Sequence, residues 1–429
     1  MKGVKSILFI TNSYPINIGD AAFIKSEMPI LARKFETLHV ACNSILHKDS
    51  DVLDFPDNVR VYYRNWPDSE SLLAKYSAKL GSIFSQAFLW EIFFLVKARK
   101  ISMKRLLIAY RFVLDAIRFK RFIIQIWNSD EEIELIYTYW YSSETLAALF
   151  LKKKYGNIPV VTRAHGYDVH ESENIDNYVP CKLWMDKKIN NIFFASQHLH
   201  DYYLKKFAHC SPRKYVTMRL GTENTIFPST AKINGRKDFF HICSCSYIIE
   251  RKRIHLVIDA LEKISDFDIH WTHIGDGPAG NDIRLLAYKS LFNKSNITYE
   301  FSGFFTNEQV MQFYGENHVD CFISSTEEEG GCPVSISEAI SFGIPVIATN
   351  VGGIPEIVNS DFGFLLDVDS DSRTISNSIV DFYNLPEERK IAMRQAARLF
   401  WETNCKAESN HAKFTDELLA VVGEFRNGL

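Results

Sequence analysis

The chain has 429 residues, too many for one ordinary hydrophobic core, so two domains of roughly 200 residues each are expected. Its 46% hydrophobic and 24% charged residues are those of a globular protein, and a net charge of −3 argues against a strongly basic nucleic-acid binder. The cysteines at 42, 181, 210, 243, 245, 321, 332 and 405 form neither a Cys-x-x-Cys pair nor a Cys/His ligand cluster, which reads as core thiols in a reducing compartment.

Lys2 and Lys5 precede an apolar run at 7–10, shorter than the roughly 7 to 15 residues of a secretory signal core, so residues 7–11 read as a first buried strand. No run reaches the 18 or so uninterrupted apolar residues of a membrane span, and a cytoplasmic location is expected. A loop holding Pro15 and Gly19 leads to a helix over 21–35. Strands follow at 38–41, 59–63, 135–138, 160–162 and 191–195, with a helical pattern at 143–155 between them. Short apolar strands alternating with helices predict an α/β fold with a parallel, doubly covered sheet.

Residues 71–127 depart from this alternation as a long helical insertion rich in Phe, Leu and Ile. Nine basic residues fall within 97–121 (Lys97, Arg99, Lys100, Lys104, Arg105, Arg111, Arg118, Lys120, Arg121), with Asp115 the only acid there. Two readings stay open: helices lying on an anionic membrane surface, or a hairpin packed on its own domain with a solvated outer face.

The Gly-, Pro- and Ser-containing stretch 220–237 reads as an interdomain linker. The alternation then restarts with strands at 239–245, 269–274, 298–301, 321–324 and 346–348, and helices from about 255 and over 334–342. The expected division is a first Rossmann-like domain over 1–222, a second over 223–395, and a helical tail over 396–429 able to pack across both.

Residues 324–345, SSTEEEGGCPVSISEAISFGIP, combine an acidic loop after a strand, Gly330 and Gly331, and Pro333 at the start of a helix. Proline suits the first helical turn, the glycines admit close approach to the backbone, and the helix N-terminus suits a diphosphate. Cys332 and Val334 lie in the same turn; Glu338, further along the helix, can accept hydrogen bonds from ribose hydroxyls, and Glu329 at the mouth can hold sugar hydroxyls. At 244–253, SCSYIIERKR, the cations Arg251, Lys252 and Arg253 open a helix, an unfavourable position for them unless an anion is bound. Arg163, His165 and Asp168 in RAHGYD follow the strand 160–162, at the strand end where open α/β sheets bind ligands. Gly19 opens a helix after the first strand, and Gly275 lies in a turn after another. There is no Gly-x-Gly-x-x-Gly at 11–20 and no P-loop lysine. The Asp-x-Asp pairs at 49/51 and 367/369 occupy ordinary loop positions, and no catalytic metal is expected.

Taken together these motifs resemble the family-four retaining glycosyltransferases of the GT-B fold, and in the same order along nearly the whole chain. HGYD at 165–168 resembles the family's acceptor-side histidine motif, and CSYIIERKRIHLVIDAL at 245–261 the opening of its second domain, where Lys252 matches a phosphate-binding lysine. HIGDGP at 273–278 and NVGGIPEIV at 350–358 match family loops, and EGGCPVSISEAISFGIPVIAT at 329–349 its paired-glutamate signature. Two departures stand out. Eight residues separate Glu329 from Glu338 where the family has seven, and Tyr247 occupies the place of a family arginine.

The resemblance implies two Rossmann-like domains facing across a cleft, with a C-terminal helix crossing back. It implies transfer of a sugar from a nucleoside diphosphate sugar to a saccharide or lipid-linked acceptor, with retention and without metal or cofactor, in bacterial surface polysaccharide synthesis. His165, Lys252 and Glu329 would be catalytic, with Gly19, Arg251, Arg253, Gly275, Gly330, Gly331, Cys332, Pro333, Val334 and Glu338 on the donor, and Arg163 and Asp168 on the acceptor side. The basic window 97–121 fits peripheral attachment to the inner face of the plasma membrane. Alternatives are sugar-nucleotide epimerisation or hydrolysis, and a non-catalytic sugar-nucleotide-binding subunit.

Overall fold

The computed structural model describes residues 6–64, 71–127, 132–152, 158–207, 214–226 and 239–428. The first five residues, the end of the expected helix at 153–155 and the linker positions 227–237 lie outside them. The chain divides into two compact units, one formed by 1–219 with 408–429, the other by 220–407.

The first unit holds a seven-stranded parallel sheet. Its strands are β1 (Ser6–Thr11), β2 (Thr37–Cys42), β3 (Val59–Tyr63), β4 (Leu135–Thr138), β5 (Val160–Ala164), β6 (Asn191–Phe194) and β7 (Tyr215–Thr217), in the order β3-β2-β1-β4-β5-β6-β7. Burial of every β1 side chain reflects helices on both faces. Ile7 and Phe9 face a core that includes Phe414 and Leu418 of the C-terminal helix Ala407–Arg426. Leu8 and Ile10, one residue out of phase, face the other core, with Phe88, Val113 and Phe119 of the insertion. The tail is divided at Cys405: Glu387–Asn404 belongs to the second unit and nearly all of Ala407–Arg426 to the first.

The insertion is three helices, each opened by a serine. Ser71, Ser85 and Ser102 accept hydrogen bonds from the N–H groups of Ala74, Phe88 and Arg105, starting helices Leu72–Ile83, Gln86–Lys97 and Met103–Ile126. Taken together, Leu72–Lys97 is long and apolar enough to span a membrane by length and composition, with mean hydropathy 1.3 over an 18-residue window. The Ser85 cap breaks it in the middle. The basic residues of 97–121 do not share one outer face. Lys104 and Arg105 pair with Asp176, while the Arg121 guanidinium donates to the Ala74 carbonyl and the Ser77 hydroxyl.

The second unit has six parallel strands: β8 (Phe240–Cys245), β9 (Ile269–Ile274), β10 (Ile297–Gly303), β11 (Cys321–Ser324), β12 (Val346–Thr349) and β13 (Gly363–Leu366), in the order β10-β9-β8-β11-β12-β13. The short strands β7 and β13 escape a reading from hydrophobic runs. Both sheets reverse their winding direction once, between β1 and β4 and between β8 and β11. At such a switch point the flanking connections diverge to opposite sides, leaving a crevice at the carboxyl ends of the strands.

Candidate active site

At the first unit's switch point the loop after β1 is gathered by one carboxylate. Asp20, 2% exposed, accepts the N–H groups of Asn12 (2.8 Å), Ser13 (2.8 Å) and Tyr14 (3.1 Å). Gly19 makes the fold-back possible at φ +57°, where a Cβ would stand 3.0 Å from Ser13 Oγ. Across the switch point, Trp140 after β4 donates its indole N–H to Asp20 at 3.2 Å. The Trp140 ring lies against His165 and Tyr167, centroids 4.5 and 5.0 Å apart, at the end of β5.

His165 is half-buried among these rings. Burial holds its imidazole well below the usual range, at about 4, so it is neutral near pH 7. Nε2 lies 3.0 Å from the Tyr139 carbonyl, which can only accept. The ring proton therefore sits on Nε2, and Nδ1 is left as an acceptor for a hydroxyl.

The two other acceptor-side candidates, Arg163 and Asp168, are buried. Arg163 points into the core: it and Glu27 are both fully buried, paired at 2.6 Å, with the guanidinium 3.8 Å from the Phe414 ring. Asp168 organises its own turn, accepting the N–H groups of His165, Gly166 and Tyr141 at 2.9, 2.9 and 3.1 Å. Asp20 and Trp140 are the residues that sequence reasoning missed. The signal for Asp20 is a Gly-Asp pair opening a helix; Trp140 has none, being one aromatic within the run 137–141.

At the second unit's switch point the loops after β8 and β11 are zipped together. A short 3-10 turn, Glu250–Lys252, and a left-handed Arg253 at φ +48° precede the helix Ile254–Leu261. Arg253 donates to the carbonyls of Ser325 and Val368, both at 2.7 Å, and Arg251 to that of Glu328 at 2.9 Å. Ser325 returns a hydroxyl bond to the carbonyls of Lys252 and Arg253. Of the three cations expected to meet phosphate, two thus bind backbone carbonyls. Lys252 is paired with Glu329 instead, side chain to side chain, the two side chains 16% and 14% exposed.

Gly330, Gly331, Cys332 and Pro333 connect Glu329 to the helix Val334–Ser341, whose start at Pro333 has no side-chain cap. The additional residue between the glutamates is thus absorbed in loop or turn, since the helix is regular from Val334. The loop after β12 presses on this turn. At Gly352, φ +54°, a Cβ would lie 1.6 Å from the Glu329 carbonyl oxygen. Gly275, φ +134°, likewise allows the loop after β9 to meet Ser246, 2.0 Å from a built Cβ. Glu338 lies on the buried face of its helix, and Asn307 donates to its carboxyl group. Burial pushes this carboxyl up to about 8. Tyr247 is exposed after β8. Among the described residues no group of three or more His, Cys, Asp or Glu could hold a metal ion.

Residues 227–399 match the family model of the glycosyl transferases group 1. Over 244 residues the chain is 25% identical to a putative colanic acid biosynthesis glycosyltransferase of Escherichia coli, 56% of this chain and 59% of that one. The chain spans less than two thirds of the length of this relative and its Salmonella typhimurium counterpart. Among solved structures it superposes on sucrose-phosphate synthase from Thermosynechococcus elongatus with TM-score 0.71 at 14% identity, covering 98% and 99% of the two chains. An Anabaena protein, HepE, solved in complex with UDP and glucose, superposes with TM-score 0.65 at 16% identity over 96% and 98%. These likenesses show the GT-B fold.

Proposed function

We propose, for a chain whose residues 227–399 belong to the glycosyl transferases group 1 family and whose fold is GT-B, that it transfers a sugar from a nucleoside diphosphate sugar to a saccharide or lipid-linked saccharide, with retention at the anomeric carbon. The observation that carries this reading is the Lys252–Glu329 pair at the β8/β11 switch point, beside a helix N-terminus with no side-chain cap. In a parallel sheet such a crevice takes a ligand, and an ammonium with open helical N–H groups suits a diphosphate.

The hard step is departure of the diphosphate while the anomeric carbon becomes cation-like. Lys252 and the N–H groups near Gly331 stabilise the charge that grows on the leaving phosphate. Glu329 leaves Lys252 for a sugar hydroxyl when phosphate arrives, and within the first unit His165 offers Nδ1 as an acceptor for a hydroxyl. Glu338 accepts from the ribose. The E. coli relative supports a bacterial surface polysaccharide as the product, with the protein cytoplasmic and peripheral on the plasma membrane through its insertion.

The test is nucleotide release from a panel of nucleoside diphosphate sugars, with and without saccharide acceptors. Release that needs an acceptor supports transfer. Equal release without one makes the protein a hydrolase, and no stabilisation by any sugar nucleotide removes the reading.

A further inference from the structure

The first unit contains a second cavity that the transfer reading does not use. It has a volume of about 670 Å³, within the range of small-molecule sites. Ser77 and Gly81 of helix Leu72–Ile83 form one wall, and Ile117, Lys120 and Arg121 of helix Met103–Ile126 another. Leu149, Phe150 and Lys152 close it on the sheet side with Trp184, Lys187 and Lys188. Lys152 Nζ donates to Asn190 Oδ1 at 2.8 Å, and Asn190 Oδ1 accepts the N–H of Val160, the first residue of β5. The cavity therefore lies at the amino ends of β5 and β6, whereas His165 lies at the carboxyl end of β5.

Its lining is amphipathic and of one sign. Five cations face it (Lys120, Arg121, Lys152, Lys187, Lys188), and among the described residues no carboxylate does. Lys152, Lys187 and Lys188 bring three ammonium groups to this lining, and a bound anion would offset their mutual repulsion. Burial, with Lys214 and Lys188 nearby, lowers the Lys152 ammonium from its ordinary value. The Lys188 ammonium lies 4.9 Å from the Trp184 ring, and Trp184 packs edge-on to Phe150. Cations above apolar rings present a charged end and a greasy end to the same ligand.

The helix carrying Ser77 and Gly81 also presents apolar side chains to solvent beside them. Leu73, Tyr76, Leu80 and Phe84 are 83%, 63%, 57% and 73% exposed. Such side chains next to a cationic cavity match an anionic lipid surface, where acyl chains meet the apolar residues and a phosphate reaches the lysines. Gly81 fits this picture. A mid-helix glycine costs about 1 kcal/mol against alanine, and here it keeps the wall open: a Cβ would have Ile117 Cδ1 at 3.8 Å as its nearest neighbour.

We propose that this cavity binds the phosphate headgroup of an anionic lipid and docks the first unit on a membrane. The proposal rests on the membrane attachment proposed above but lies apart from the transfer site, so loss of vesicle binding would leave the transfer chemistry standing and loss of transfer would leave the lipid site standing.

The test is co-sedimentation of the full chain with phosphatidylcholine vesicles, with and without phosphatidylglycerol. Binding is expected only with phosphatidylglycerol, and Lys187→Ser with Lys188→Ser should weaken it about tenfold. Lys97→Ser with Lys100→Ser makes the same charge change outside the cavity and should weaken it much less. Equal losses in the two pairs would mean diffuse surface attraction and overturn the proposal. Gly81→Leu fills the cavity at constant charge; it should abolish the phosphatidylglycerol dependence without lowering Tm, and unaltered binding overturns the proposal. If glycerol 3-phosphate stabilises the chain through Lys187 and Lys188 while vesicle binding ignores them, the site serves a soluble phosphorylated compound and the lipid assignment fails.

Discussion

Lys252 donates a hydrogen bond from its ammonium to the Glu329 carboxylate across the β8/β11 switch point, so the two charges neutralise each other. On the proposed reading a diphosphate sugar would separate them, phosphate taking the ammonium and a sugar hydroxyl the carboxylate. Lys252→Ala is expected to lower kcat by about 10²–10³, the scale of losing one donor to transition-state charge. Glu329→Gln should lower turnover while binding free nucleoside diphosphate at least as tightly, because Lys252 no longer has an anionic competitor. Calorimetry with the nucleotide alone, beside steady-state rates, separates the two effects; weaker nucleotide binding in Glu329→Gln would sink the exchange.

Glu338 should be felt in both binding and pH dependence. Its carboxyl is raised from 4.5 to about 8 by burial, so the folded protein holds this proton where the unfolded chain has lost it. The group's contribution to stability is complete below 4.5 and is lost as pH rises through about 8. Glu338→Gln keeps an uncharged group of the same shape and should flatten that decline between pH 5 and 8.5, measured by denaturant unfolding at about six pH values. Above pH 8, where the carboxyl is ionised, the same variant should bind nucleotide about tenfold more weakly, since a ribose hydroxyl loses a charged acceptor.

His165 is held at about 4 by burial, below the 6.5 of an ordinary histidine. Its neutral form adds stability present above 6.5 and lost as pH falls through 4. A His165-linked step near pH 6.5 in kcat/KM is therefore not expected, and finding one that vanishes in His165→Ala would contradict the neutral tautomer. His165→Ala itself should reduce turnover and leave Tm at pH 7.5 within a few degrees.

The loop contact at Gly352 makes a separate prediction. A methyl group there would lie 1.6 Å from the Glu329 carbonyl oxygen, at a φ that favours glycine. Gly352→Ala should displace the Glu329 turn and cost turnover more than stability. Thermal unfolding and initial rates on one preparation check this; wild-type rates would show that the turn tolerates the shift.

Arg163 tests packing rather than chemistry. Removing it by Arg163→Met strands the buried Glu27 carboxylate and should cost about 3–5 kcal/mol. Arg163→Met with Glu27→Leu should recover much of that, because neither charge is then left unpaired in the core. Denaturant unfolding of the two variants decides it.

Most strands, and the loops that carry the candidate residues, were legible in the sequence. Periodicity placed most strands, and the order of local motifs marked His165, Lys252, Glu329 and Glu338, because strand-end loops and helix starts are set by residues adjacent in the chain. The strand β7 was missed because three residues carry too little periodic signal, and β13 because its short run opens on Gly363. Nearest neighbours also could not say which cations at 251–253 stay available. Arg251 and Arg253 are claimed by carbonyls 72 to 115 positions away, contacts that exist only once β8 lies beside β11. The same holds for RAHGYD, where alternation along β5 turns Arg163 toward Glu27 and leaves His165 at the strand end. Composition, local propensity and motif order determined the fold class and the candidate loops. The pairing of side chains across each switch point, Asp20 with Trp140 and Lys252 with Glu329, was decided by strand order alone, because a parallel sheet brings together residues far apart in the chain.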